Sequence, residues 1–378
     1  MSIKAEDFYN KFKFCIPTNK EIANKEINIL QNIINKSNKE IQNYLRQYIA
    51  KLTYYRKNFL DAETASAISK MLVEIAFILR LQYIDYLQKK ENNTLSNDEE
   101  DIINLSKMIK LLISEISMII YKKEYETNNI FENMEAFKSD STIGHINRVF
   151  LTAIEAILFF NEKMSQGLTN KIRVDFKKTY YKYSEKIYKM YNIDTENSLE
   201  TNVKLGIRKL EANTLLDTTI GILMHDIALE NNHDYIPIPE EKKDNHSIKD
   251  YNFTKYFMRG SEGVSLTVSL HHEYYGHGYG LFSELYKAAI KRNPNHDIEY
   301  IVSYDYKDIL TLQSLTYLPA KILEVLDVYD TLTHSFNKSS KEAVNYMVEN
   351  FVEKNIMLDP IVMDMFIQYL KEIKKIKL

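Results

Sequence analysis

The sequence predicts an all-α protein. Backbone breakers are scarce: 9 Gly and 6 Pro in 378 residues, too few to punctuate the many short strands of a β-rich fold. Apolar residues also recur at helical steps. Ile27, Leu30, Ile34, Ile41, Leu45, Ile49 and Leu52 stand three, four or seven apart, the mark of one face of a long helix. A hydrophobic content of 45% beside 27% charged residues is that of a globular chain with a sizeable core and room for two or three domains.

Composition also excludes. A formal net charge of -3 gives no basic field for a nucleic-acid polymer. The single cysteine, Cys15, excludes an intramolecular disulfide framework and any cysteine-rich zinc or iron–sulfur site, and fits a reducing compartment. Met1 to Lys20 carries charges throughout, without the apolar core of a signal peptide. No run approaches the ~20 apolar residues of a membrane span. The nearest, Met71 to Leu87, is interrupted by Glu74, Arg80, Gln82 and Asp85. A cytoplasmic protein is expected.

Taken in order, residues 20–56 read as one long amphipathic helix. Asp61-Ala62-Glu63-Thr64 offers the next helix start, and the segment to Leu87 is apolar on more than one face, as at the centre of a bundle. Glu91 to Glu100 is a polar, Asn-rich loop. Ser96 and Glu99 have capping-box spacing ahead of a helix running to about Lys123. Residues 1–130 thus form a helical N-terminal domain without a histidine or any evident chemistry. Only its place in the chain suggests a sensory or dimerising role, so a homodimer is one expectation.

Histidines begin with His145, ahead of an apolar helix from Val149 to Phe160, where a lone histidine is more often structural. Lysines and tyrosines crowd residues 163–212. They could hold bases and phosphates, but an exposed amphipathic helix explains them better. The run Ile220 to Met224 then delivers His225 and Asp226 side by side near a helix end. Burying that pair is costly unless both are satisfied. A first-row transition metal satisfies both, and so does a His–Asp hydrogen bond. His233 and His246 follow as candidates for a further ligand.

The sharpest stretch is His271-His272-Glu273-Tyr274-Tyr275-Gly276-His277-Gly278-Tyr279-Gly280, with three of the nine histidines within seven residues. Adjacent helical residues point about 100° apart, so such a pair can serve one metal from two directions or two neighbouring metals. The glycines let backbone approach a ligand closely. His296 falls in a polar loop at 292–297, within a region (281–318) read as helical. Asp327 later interrupts an apolar helix beside Leu323, Leu326 and Tyr329, where an acid needs a metal or a basic partner. An amphipathic helix from Ile361 to Ile373 closes the chain.

A histidine, a His-Asp pair, a histidine, a His-His pair and a late aspartate, in that order, resemble the HD superfamily of metal-dependent phosphohydrolases. The details are similar to the HD-GYP domains, which hydrolyse cyclic di-GMP. His271-His272-Glu273 with Gly276 to Gly280 resembles that branch's name-motif. His145 with Arg148-Val149 resembles its first motif, Asp327 to Leu332 its late aspartate segment, and Leu358-Asp359-Pro360 with Phe366 its close. His246 after Pro239-Glu240-Glu241 matches the intervening histidine better than His233 does. The likeness covers about residues 140–370, within a domain placed at 131–378.

The resemblance implies an HD-like helical bundle around two divalent transition metals, iron or manganese first and zinc next. It assigns His145, His225 and Asp327 to one metal, and His246, His271 and His272 to the other. Asp226 would bridge them as the catalytic centre. It implies hydrolysis of cyclic di-GMP to pGpG, and onward to GMP as an option. Two metals about 3.5–4 Å apart would bind the phosphodiester oxygens and acidify a water. Gly278 and Tyr279 would contact substrate or a protein partner, and Glu273 would fix a histidine from behind.

The departures are specific. The Asp of the name-motif is missing between Tyr275 and Gly276, and Gly280 replaces its final Pro. Leu229 stands where a phosphate-binding lysine is common. Ser141 stands where three-metal members carry a glutamate, which points to two metals. Phe336 lies near the place of a usual arginine, with Lys338 as the substitute substrate contact. These departures keep a second reading open: a catalytically weak or inactive cyclic di-GMP sensor or protein-interaction module. A third is an HD hydrolase of another nucleotide.

Overall fold

The helical steps become helices. A computed structural model of the chain describes residues 19–55, 62–95, 99–121, 138–183, 207, 209–229, 246–274, 280–281, 317–354 and 357–378. Among the described residues the regular structure is all helical, with no strand. In chain order the helices are α1 (Lys20–Gln31), α2 (Asn38–Tyr55), α3 (Ala62–Glu91), α4 (Glu99–Tyr121), α5 (Thr142–Ser165), α6 (Leu168–Thr179), α7 (Ala212–Met224), α8 (His246–Phe257), α9 (Glu262–Leu270), α10 (Leu318–Asp330), α11 (Ser340–Met347) and α12 (Pro360–Glu372).

One expected element is corrected. The single helix over residues 20–56 is two helices, α1 and α2. The apolar period survives the break, with Leu30, Ile41, Leu45 and Leu52 all buried, but local chemistry ends the first helix. Asn32 follows α1, and Ser37 then starts α2 with a reciprocal cap: its backbone and hydroxyl donate to the Glu40 carboxylate at 2.7 Å, and its hydroxyl accepts from Glu40 N at 3.3 Å. Side-chain oxygens that cap one helix compete with extending the last one.

The chain divides into two compact units. The first combines Met1–Glu155, Leu216–Asp234 and Lys249–Ser265; the second combines Ala156–Leu215, Tyr235–Ile248 and Leu266–Leu378. The domain line expected at 130/131 falls among residues outside the described ones.

In the first unit α1 packs on α3 and α2 on α4. α3 is apolar nearly all round, and Met71 to Leu79 is buried without a gap. That explains how a 30-residue helix can carry Glu74 and Arg80 and still sit inside. Glu74 accepts from the Tyr44 hydroxyl at 2.7 Å. Arg80 donates to the carbonyl of Ile227, 147 residues away. In the second unit α10 packs on α12 and α11, with Tyr329 edge-on to Phe366 at 5.0 Å between ring centroids. Pro360 starts α12 at a position suited to its fixed φ, and Asp359 caps it, accepting from Ile361 N at 2.8 Å and Val362 N at 3.0 Å. Among the described residues the helix that meets the length and hydropathy of a membrane span is α5 rather than the segment around Met71. It is long and apolar enough to cross a membrane, and 89% of its most apolar window is buried inside the protein, the pattern of a core helix.

Candidate metal centre

Three ligand candidates meet in the first unit. His145 lies in the first turn of α5, its backbone nitrogen donating to Ser141 O at 2.9 Å. His225 and Asp226 follow the last residue of α7, where the apolar run gives out. The His225 Nε2 stands 3.2 Å from the His145 Nε2. The Asp226 Oδ2 stands 3.6 Å from the former's partner nitrogen on His145 and 3.7 Å from that of His225. Donors bound to one ion at about 2.0–2.2 Å lie roughly 3–3.5 Å apart, so these separations suit a shared cation.

Three histidines converge in the second unit, with Asp327 beside one of them. His246 opens α8, His271 and His272 follow α9, and Asp327 lies in α10. The His246 Nε2 is 3.3 Å from the His271 Nε2 and 3.1 Å from the His272 Nε2. The Asp327 Oδ2 is 3.8 Å from the His272 Nδ1. A ring nitrogen facing two others can share a proton with only one of them; a cation satisfies all three.

All seven side chains are buried, at most 4% exposed. Burial of that many imidazoles and carboxylates is costly without a compensating charge. The donor chemistry, nitrogen with carboxylate oxygen, suits first-row transition metals. Each of the seven belongs to a buried group of His and Asp that could hold a metal ion.

The ring orientations are fixed from behind. The His225 Nδ1 is 2.6 Å from the carbonyl of Ile222, and the His271 Nδ1 pairs with the carbonyl of Val268. A carbonyl only accepts, so both Nδ1 atoms carry a proton, and in the neutral tautomer the lone pair lies on Nε2. Each contact also satisfies a carbonyl left over at a helix end. The His272 Nδ1 faces the Tyr274 hydroxyl at 3.0 Å. The Tyr274 hydroxyl thus stands behind that histidine. Glu273 packs its carboxylate against Gly280.

A second buried layer holds the loop after α9. Tyr274 N donates to the Glu324 Oε1 at 2.9 Å, and the Lys321 Nζ donates to both oxygens of Glu324 at 2.9 and 3.1 Å. Burial pushes the Glu324 carboxyl up to about 8, against the pull of Lys321. In the first unit the turn after Asp226 is tied at both ends. Ala228 N donates to the Asp250 Oδ1 at 2.7 Å, and Arg80 holds the carbonyl of Ile227.

Of the substrate contacts expected, Gly278 and Tyr279 lie outside the described residues, as do His233, His277 and His296. Lys338 follows a π turn at Thr331–Ser335 and places its ammonium 5.3 Å from the Tyr346 ring centre. His334 pairs with Asp330 at 3.0 Å on the surface. Sequence reasoning passed over Tyr274, Lys321, Glu324, Arg80 and Asp250. One signal was available: Lys321, Glu324 and Asp327 interrupt one apolar helix at three-residue steps, which puts them on the same side. Only the last was singled out. Compared with known proteins, the chain matches no family model, no curated protein and no solved structure.

Proposed function

We propose that the chain is a metal-dependent phosphodiesterase of the HD-GYP kind that hydrolyses cyclic di-GMP. The observation that carries this reading is the buried set of five histidines and two aspartates, with ring nitrogens converging at 3.1 to 3.3 Å. Their order along the chain is that of the family motifs. Two divalent ions held there would supply positive charge to the phosphodiester oxygens and acidify an attacking water. His145, His225 and Asp327 are assigned to one ion, His246, His271 and His272 to the other, and Asp226 to both. The backbone carbonyls behind His225 and His271 hold their Nδ1 atoms, which leaves Nε2 of each ring as the atom that would meet an ion. Lys338, Gly278 and Tyr279 are assigned to the substrate.

The test is turnover by protein purified without oxygen and supplied with manganese or iron, beside Asp226→Ala. We expect hydrolysis to pGpG in the first and a loss of at least about 1000-fold in the second, because the carboxylate assigned to both ions is gone. Metal bound and cyclic di-GMP captured without turnover would replace the enzyme by a sensor. One observation favours that second reading: Leu229, where the family lysine is common, is a buried apolar residue, so that phosphate contact is missing. Competition by other cyclic dinucleotides separates an HD hydrolase of a different nucleotide.

A further inference from the structure

Glu26 is a carboxylate in an unexpected place. It lies on α1, in the region without evident chemistry, and is only 4% exposed. Its Oε1 accepts from two hydroxyls, Ser139 Oγ and Ser141 Oγ, each at 2.9 Å. Those serines form the short segment leading into α5, and Ser141 is the residue that starts it. The Ser141 hydroxyl accepts from Gly144 N at 3.0 Å, and the Ser141 carbonyl accepts from His145 N at 2.9 Å. The Ser139 hydroxyl in turn accepts from Ser141 N at 3.2 Å. One carboxylate on a distant helix therefore anchors the group that fixes the backbone of His145.

The segment is clamped from the other side as well. Arg148, one turn after His145, donates to the carbonyl of Ser139. This fold-back needs the glycine: a Cβ on Gly144 would stand 2.8 Å from the Ser139 Cβ and closer still to its carbonyl oxygen. A negative charge beside the first turn of α5 is also favourable, because unpaired N–H groups there carry partial positive charge. Ordinary N-capping needs only Ser141. The buried carboxylate behind it is an additional component, brought 115 residues along the chain.

We propose that Glu26 is a positioning residue for the metal ligand His145, acting through Ser141. This rests on the reading of His145 as a ligand, but not on the identity of the substrate. Loss of a group that hydrogen-bonds a metal ligand typically weakens metal binding about 10–100-fold, and Glu26 acts one step further back, which sets the lower end of that range.

The probe is manganese alone, titrated into the full-length protein in competition with a fluorescent chelator. We expect Glu26→Gln and Ser141→Ala each to weaken manganese binding at least about tenfold. The double variant should be no worse than the stronger single one, because both act on one path. The control is Leu30→Ala on the same helix, which removes a fully buried side chain and no hydrogen bond to either serine. It should lower thermal stability and leave the manganese affinity of the folded protein within about twofold, as for a site with no shared partners. Wild-type affinity in Glu26→Gln would overturn the proposal. So would Leu30→Ala weakening binding as much, or effects that simply add. If Glu26→Gln does not fold, Ser141→Ala and its comparison with Leu30→Ala decide alone. Wild-type protein that binds no manganese sinks the metal-centre reading itself, which is a separable result.

Discussion

Tyr274 occupies left-handed backbone, φ +43°, a conformation that costs a non-glycine residue about 1–3 kcal/mol. Two contacts account for its persistence: its nitrogen donates to Glu324, and its hydroxyl meets the His272 Nδ1. The strained residue thus sits where it can turn a candidate ligand ring. Tyr274→Phe keeps the ring and the backbone contact and removes only the hydroxyl. We expect metal affinity to fall about tenfold, within the range for partners behind a ligand, with the fold retained by circular dichroism. An unchanged titration would mean that the phenol does not orient His272. Five of the candidate ligands were visible in the sequence because a His-Asp pair, a His-His pair and an acid inside an apolar run are conspicuous by type, whereas His145 and His246 were reached only through the order of the resembled family's motifs. Tyr274 was not, since a tyrosine among 28 carries no mark of a hydroxyl placed behind an imidazole. Glu26 was hidden for a different reason. In sequence it is one more acid on a charged helix, and only the fold brings Ser139 and Ser141 to it.

Two helices do similar work at their ends. α7 and α9 both stop where an apolar run meets a histidine, and both histidines return a proton to the carbonyl three residues back. The negative end of each helix dipole then lies beside the candidate ligand nitrogens, where it would favour a cation. These ends were legible, because apolar periodicity followed by polar residues and glycines marks a helix stop. The break between α1 and α2 was not, since the period runs across it and the decision rests on the Ser37–Glu40 cap. The loop after α9 depends on a glycine. A Cβ on Gly280 would lie 2.8 Å from the Cα and 2.9 Å from the N of Glu273, and backbone cannot yield as a side-chain tip can. Gly280→Ala should therefore cost about 1–3 kcal/mol, as overpacking does, read as a lower midpoint in denaturant. A midpoint equal to that of the wild type would mean that the return of Gly280 N to the carbonyl of His272, at 3.1 Å, tolerates a shift.

For the molecule as a whole, the helical class was readable and the grouping of helices was not. Composition and periodicity decide class, whereas grouping depends on contacts between residues far apart in sequence, such as Arg80 with Ile227. The first four helices share one compact unit with the segments that carry His145, His225 and Asp226. A fragment starting at residue 138 would expose the surfaces on which Glu26 and Arg80 act, leaving buried groups without their partners. We expect it to show no cooperative thermal transition by circular dichroism, whereas the full chain melts cooperatively. A cooperative melt near that of the full chain would show the N-terminal helices to be dispensable.

The two histidines pinned by backbone carbonyls have a consequence for the timing of events. Their rings lose rotational freedom when the chain folds, before any ion arrives. On the proposed reading of these rings as ligands, capture adds little ordering at those two positions, so its rate follows how the ion reaches them rather than how they rearrange.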